Sequence, residues 1–139
     1  MCVQDMKLEV ELSYITSVSQ LLTKRSITGV NWMHGKAGVT DTDMWLPSEE
    51  GWDIIPLKSI EMVGRQLTGS VGNQILQATK YSNYLVIDYK KQSLFGTGYV
   101  TSTMILAGQG RDIRKMKNYL LTNYHSPISR IQYRLSAVA

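Results

Sequence analysis

The order in which hydrophobic patterns follow one another constrains the fold of this chain more than any single motif does. Residues 7–12 alternate strictly and place Leu8, Val10 and Leu12 on one face, as in a half-buried strand. The same reasoning predicts strands over residues 7–15, 26–33, 39–46, 52–55, 84–89 and 99–106, and a short turn followed by a strand within residues 57–67. Turns are predicted at residues 34–36, 47–51 and 90–93, and an exposed loop at residues 69–79. Such short, locally connected strands predict a mainly β (α+β) protein built on an antiparallel barrel or sandwich.

The last patterned segment is helical. Ile113, Met116, Leu120 and Tyr124 form one stripe of a helix, and Pro127 ends the segment. A curled antiparallel sheet has an open end, and burying an apolar helical stripe there stabilises closure by roughly 1.5–3 kcal/mol per side chain. We therefore predict an antiparallel barrel of about seven strands closed by a C-terminal amphipathic helix. Residues 1–126 are predicted to form this domain, and residues 127–139 a tail or a short second helix.

Composition excludes several classes of protein. With 139 residues, 43% hydrophobic and 19% charged, the chain has the profile of one globular domain. The single cysteine, Cys2, excludes an internal disulfide and a multi-cysteine zinc site, and His34 and His125 are far apart in sequence. There is no leader-like pattern and no apolar run approaching the roughly 20 residues that span a bilayer. We therefore expect a cytoplasmic protein without a transmembrane segment.

The sequence offers no catalytic constellation. Asp41 and Asp43 form a D-x-D pair without a third carboxylate nearby, which is typical of a solvated strand face. Gly108 and Gly110 precede the predicted helix, but they fit neither a dinucleotide fingerprint nor a P-loop. The prediction is a protein that is not an enzyme, with no metal site and no cofactor.

Charge divides the chain into two unequal parts. Residues 1–77 hold six basic and nine acidic side chains, whereas residues 78–139 hold nine basic side chains against Asp88 and Asp112. The predicted helix carries the densest basic group: Arg111, Arg114, Lys115 and Lys117. This group allows three interpretations: a solvated outer face, a surface for an acidic protein partner, or phosphate contacts to nucleic acid with stacking on Tyr119 and Tyr124. Lys24, Arg25 and Lys36 form a second candidate group, at the open end between the first strands.

Residues 36–64 resemble a known signature. They contain K-A-G-V-T, then M-W-L, then I-I-P-L-K-S-I-E-M-V-G, which is similar to the strand signature of the pleckstrin-homology-like superfold and its GRAM branch. Within that superfold the chain resembles the archaeal chemotaxis adaptor family CheF, in the I-P-L segment and in the strand pair of residues 84–106 followed by the helix of residues 110–124. In residues 52–64 we also predict a central core hairpin, with Leu57 and Ile60 inside the barrel and Gly64 relieving the backbone.

The resemblance covers about residues 36–125 and implies a non-catalytic adaptor that links chemotaxis response proteins to the archaellum motor. The first predicted function is accordingly a protein-interaction module for a partner with an acidic surface. In the pleckstrin-homology superfold, basic residues in the region that corresponds to Lys24, Arg25 and Lys36 of this chain hold phosphoinositide head groups. An anionic-lipid module is therefore the first alternative. A nucleic-acid-binding domain that uses the basic helix is the second.

Overall fold

The computed structural model describes residues 6–15, 32–49, 51–67, 69–92, 96 and 98–123. These residues form one antiparallel sheet and two α-helices. In chain order the elements are β1 (Leu8–Ile15), β2 (Met33–Val39), β3 (Asp43–Ser48), β4 (Gly51–Pro56), a 3₁₀ turn (Leu57–Ser59), β5 (Ile60–Val63), α1 (Gly69–Thr79), β6 (Asn83–Gln92), β7 (Tyr99–Gly108) and α2 (Gly110–Asn123). The fold is thus mainly β, as the hydrophobic pattern predicts.

The seven strands lie in the order β4-β3-β2-β1-β7-β6-β5, with β1 at the centre of the sheet. β1 pairs with β2 along most of its length, whereas it meets β7 only through its last residues, Ser13 to Ile15. β4 and β5 are the outer strands, and within the described residues no ladder joins them. The sheet is therefore open there, and closure into a barrel stays a prediction.

The main core lies between the inner face of the sheet and α2. β1 contributes Val10, Leu12 and Tyr14 at alternate positions, and other strands add side chains such as Ile87 and Leu106. α2 completes this core with its buried stripe of Ile113, Met116 and Leu120. The predicted helical stripe is confirmed at these three positions, and Tyr124 lies outside the described residues.

The outer face of the sheet is covered by α1, where an exposed loop was predicted over residues 69–79. That prediction is wrong. Gly69, Gly72 and neighbouring polar residues are typical of loops, but local propensity is a weak preference that tertiary packing overrides. Ile75 is fully buried in a second cluster with Val86 and Ile105, so burial against the sheet supplies what the local sequence lacks.

The predictions for β2 and β3 need correction at two positions. The predicted turn at residues 34–36 is wrong, because β1 supplies cross-strand partners for this polar stretch: Ser13 pairs with His34 and Glu11 with Lys36. The predicted strand of residues 39–46 is interrupted, because the turn falls at residues 40–42. There the Thr40 hydroxyl accepts the N–H groups of residues 42 and 43, at 3.3 and 3.1 Å. The predicted strand of residues 26–33 lies outside the described residues except at its end.

Two predicted turns are shorter in the structure. β3 and β4 pair as far as Ser48 and Gly51, so only two residues connect them, fewer than predicted for residues 47–51. The predicted turn at residues 90–93 is wrong over its first three positions, since Lys90 pairs with Thr101 and Gln92 with Tyr99. Backbone pairing extends β6 and β7 beyond the core, where residues 90–92 and 99–101 are exposed.

For residues 52–64 the predicted burial is confirmed, but the predicted strand pairing is wrong. Leu57 and Ile60 are buried in the core, and Gly64 has a φ of 93°, which L side chains rarely adopt. The segment is not a hairpin, however, because β4 pairs with β3 and β5 pairs with β6. Instead, the 3₁₀ turn carries the chain from one outer strand of the sheet to the other.

Candidate functional site

Helix α2 presents its basic residues on two different flanks. It packs against β1, β5, β6 and β7 through its buried stripe, which leaves Arg111, Arg114, Lys115 and Lys117 exposed. Arg114 and Lys117 line one cavity, whereas Arg111 lines a second cavity and Lys115 lines neither of them. The four basic residues, which the sequence predicts as one group, therefore lie in different surroundings.

The first flank borders a cavity of about 410 Å³, which we call the basic groove. The groove lies between α2, the residues that follow β5, and the first half of β6. Arg65, Arg114 and Lys117 line it, and its described lining contains no carboxylate. The apolar side chains of Leu76 and Ile113 also reach its wall. The groove therefore combines positive charge with apolar surface.

Gly64 and Asp88 position Arg65 in the basic groove. The N–H of Gly64 donates to Val86 O at 2.8 Å, and its positive φ turns the chain away from β5. Arg65 then donates from Nε to Asp88 Oδ2 at 3.0 Å and from Nη2 to Oδ1 at 3.2 Å. Thr103 Oγ1 donates to the same Oδ1 at 2.5 Å. This two-point pair fixes the guanidinium and balances its charge, so the uncompensated charge of the groove belongs to Arg114 and Lys117.

Lys117 borders the groove at the point where β5 ends. A Cβ built on Gly64 would lie 3.2 Å from Lys117 Cε, so the lysine stem runs along the bare glycine backbone. The β5–β6 register stops at Val63 opposite Ile87, which leaves the first residues of β6 facing the groove without a β5 partner. Neither Arg114 nor Lys117 forms an ion pair with any residue in the described ranges.

The opposite side of the sheet centre holds a cavity of about 350 Å³ with mixed charge. Lys36 and Arg111 both line it, so the structure brings together two predicted site residues. The same cavity is also lined by Glu9, Glu11 and Asp112, and Arg111 Nε lies 3.8 Å from Asp112 Oδ1. Three carboxylates against two cations make this cavity a poor site for an anion.

The remaining predicted site residues fall elsewhere. Lys115 is exposed and lines neither cavity. Lys24 and Arg25 lie outside the described residues. Arg65 was not predicted as a site residue, since in the sequence it is an isolated cation after a glycine. Only its contact with Asp88, 23 positions later, places it in the groove.

Two polar pairs on other parts of the sheet also went unpredicted. Ser13 Oγ and His34 Nδ1 are hydrogen-bonded across β1 and β2. The Ser13 side chain is fully buried, so a substrate cannot reach its hydroxyl. Tyr14 donates its hydroxyl to Pro47 O at 2.5 Å and to Asp53 Oδ2 at 3.0 Å. Burial, followed by the hydrogen bond and charge of Asp53, raises the pKa of Tyr14 well above its ordinary value.

Compared with models of protein families and with curated proteins, the sequence gives no match. Neither of the two helices in the described part of the chain is long and apolar enough to cross a membrane.

Proposed function

We propose that this protein is a non-catalytic interaction module whose basic groove receives the carboxylates of an acidic protein partner. One observation carries the proposal: Arg65, Arg114 and Lys117 line a single cavity whose described lining has no carboxylate. Exposed cations in such an arrangement speed encounter with an acidic surface and select against basic partners.

The composition of the groove wall favours a protein partner over nucleic acid. Leu76 and Ile113 contribute apolar surface beside the cations, which suits a segment with both acidic and apolar side chains. A nucleic-acid surface needs a basic stripe that follows successive phosphates. On α2 that stripe is interrupted, because Arg111 faces a cavity that also contains three carboxylates.

The strand order supports a pleckstrin-homology-like architecture as part of the same proposal. β1 at the centre separates β2–β4 from β5–β7, and the helix after β7 packs on the inner face. In this proposal the sheet curls towards a barrel that α2 closes. An adaptor role in archaeal taxis is the specific form that the sequence resemblance suggests.

The first experiment locates the partner. A photo-crosslinking amino acid replaces Gln66, which lines the basic groove, and in a second protein it replaces Asn118, an exposed residue outside it. Both proteins are irradiated in extract of the source cells, and the adducts are identified by mass spectrometry. We expect an acidic protein that is captured from position 66, not from position 118, and is displaced by excess unmodified protein.

A matched pair of variants then measures the contribution of the groove. Arg114→Gln with Lys117→Gln should weaken binding of the captured partner by about 10- to 100-fold, from roughly 1 kcal/mol for each charge contact. Lys115→Gln is the control, because Lys115 lies on the same helix but outside the groove. Equal affinity of the double variant and the wild type would contradict the proposal, as would an adduct from position 118 alone.

A further inference from the structure

Strands β4 and β6 border a common cavity where no strand lies between them. The β5–β6 ladder ends at Ile60 opposite Tyr89, so residues 90–92 pair with β7 but with no residue of β5. β4 is the outer strand at the other margin of the sheet and pairs only with β3. Ile54 of β4 and Gln92 of β6 both line a cavity of about 580 Å³, which we call the strand gap.

The β4 side of the strand gap offers backbone groups that no described strand uses. In an antiparallel ladder, residues whose N–H and C=O groups bond to one neighbour alternate with residues whose groups point to the other side. The N–H of Leu57 donates to Thr42 O at 2.9 Å, in register with the β3–β4 ladder. Odd-numbered residues therefore bond to β3, and the N–H and C=O groups of Trp52 and Ile54 point away from it.

The β6 side of the strand gap has the same property. Val86 O accepts the N–H of Gly64 at 2.8 Å, which continues the β5–β6 ladder. Even-numbered residues of β6 therefore turn their backbone groups towards β5, and the β6–β7 register runs without a shift as far as Gln92. At Gln92 these groups point away from β7, beyond the end of the β5 ladder.

The strand gap is positively charged. Lys58, Lys90 and Lys91 line it, and Asp53 supplies the one carboxylate of its described lining. The Asp53 carboxylate is already engaged on the core side, because it accepts the hydroxyl of Tyr14 at 3.0 Å. The charge of the three lysines therefore exceeds that of the carboxylate beside them.

We propose that the strand gap receives an extended acidic peptide of a protein partner, which pairs with β4 as an added strand. Such addition takes its affinity from main-chain hydrogen bonds and its specificity from alternate side chains. Acidic side chains of the peptide meet the lysines. Apolar side chains between them meet Ile54 and Tyr99, which are 47% and 71% exposed.

The sequence favours a partner over the chain itself as the occupant. Residues 16–31 and 124–139 are the two longest segments outside the described residues, and neither contains Asp or Glu. Each of them holds two basic side chains instead. Nucleic acid is also a poor occupant, because a phosphodiester backbone lacks the alternating N–H and C=O groups that pair with a strand.

This peptide site goes beyond the role of the basic groove. No residue lines both cavities. The basic groove lies beside α2, whereas the strand gap lies beside β4 and offers backbone pairing in addition to charge. Each cavity has its own variants, so one assignment can fail while the other holds.

The test begins with phage display of random linear peptides on the immobilised full chain. We expect enriched sequences with Asp or Glu at alternate positions and apolar residues between them, which is the period of a strand. A synthetic copy of an enriched peptide then serves as the probe. Fluorescence anisotropy measures its affinity for the wild type and for each variant.

Two variants separate the main-chain contact from the charge. Ile54→Pro removes an N–H that points away from β3, a position where an edge strand tolerates proline, and it leaves every lysine in place. It should weaken binding of the probe by about tenfold, whereas Ile54→Val keeps the N–H and should bind as the wild type does. Lys90→Gln with Lys91→Gln should also weaken binding, by about tenfold or more.

Controls make the result decisive. Arg114→Gln with Lys117→Gln removes the same charge from the basic groove and should bind the probe as the wild type does. A urea unfolding curve shows which variants fold, and the lysine variant carries the test if the proline variant does not. The proposal is overturned if no acidic peptide is enriched, if a folded Ile54→Pro or the lysine variant binds as the wild type does, or if the groove variant loses as much affinity as the lysine variant. It is also overturned if synthetic peptides of residues 16–31 or 124–139 displace the probe at equal concentration, because the chain itself would then fill the gap.

Discussion

Replacing Tyr14 with phenylalanine isolates a polar contact that joins the sheet centre to its outer strands. The ring of Tyr14 belongs to the main core and is 1% exposed, so phenylalanine keeps its packing. The substitution removes only the hydroxyl that donates to Pro47 O at 2.5 Å and to Asp53 Oδ2 at 3.0 Å. The change in stability therefore reports these two hydrogen bonds.

The magnitude at neutral pH follows from the two acceptors. A hydrogen bond to a backbone carbonyl contributes about 1 kcal/mol net, and one to a buried carboxylate contributes more. Asp53 is exposed, so water can replace part of the hydrogen bonding that its carboxylate loses with the tyrosine hydroxyl. The hydrogen bond from Tyr14 to Asp53 therefore also contributes about 1 kcal/mol. Tyr14→Phe should therefore lower the free energy of unfolding by about 2 kcal/mol at pH 7.

The difference between wild type and variant should shrink in alkali. Because the pKa of Tyr14 is raised in the folded protein, the unfolded chain loses this proton first, near pH 10, and the folded state is disfavoured above that pH. Between pH 9 and 11 the wild type should lose about 1.4 kcal/mol through Tyr14 alone. Phenylalanine has no proton to lose, so the deficit of the variant should fall to about 0.6 kcal/mol at pH 11.

Urea unfolding at pH 7 and pH 11, followed by far-UV circular dichroism, measures both quantities. With a slope of about 2 kcal/mol per M, the midpoint of Tyr14→Phe should fall by about 1 M at pH 7. Tyr99→Phe is the matched control, because its hydroxyl belongs to a side chain that is 71% exposed, and its midpoint should stay unchanged. A midpoint shift below about 0.3 M at pH 7, or an equal deficit at both pH values, would refute the reasoning.

Two further predictions concern α2 and the turn after β5. Leu120→Ala should lower the free energy of unfolding by about 2–5 kcal/mol, because it leaves a cavity where the fully buried side chain packs between α2 and the sheet. Urea unfolding measures this loss, and a midpoint equal to that of the wild type would contradict the packing. Gly64→Ala should lower the free energy of unfolding by about 1–3 kcal/mol, because an alanine backbone is strained at a φ of 93°. Thermal unfolding measures this loss. An unchanged Tm would contradict the expectation, because it would show that the backbone at residue 64 relaxes.

Strand and helix type were readable from the sequence where the hydrophobic period was clear. Leu8, Val10 and Leu12 identify β1 because alternate residues of a strand face the same side. Ile113 and Met116 identify α2 by their spacing. Three of the errors, at residues 34–36, 69–79 and 90–92, fall where polar or small residues were given more weight than strand pairing or burial. The predicted hairpin of residues 52–64 is wrong for another reason, because its two strands pair with β3 and β6 instead of with each other.

The candidate site was only partly predictable. The excess of basic charge on α2 is a property of the sequence. Its division between the basic groove and the cavity with mixed charge depends on which strand lies beside each flank of the helix. Arg114 and Lys117 meet the end of β5, whereas Arg111 meets Glu11 of β1 across the other cavity. Contacts between residues far apart in sequence cannot be read from local period or charge.

By itself, then, the amino-acid sequence determined that this chain forms short antiparallel strands followed by an amphipathic helix, because periods of two and of about 3.6 are local properties of a strand and a helix. Tertiary structure alone decided the strand order, the packing of α1 on the outer face of the sheet and the separation of the basic groove from the cavity with mixed charge. Each of these depends on burial and charge pairing between distant segments, and those energies arise only when the chain is folded.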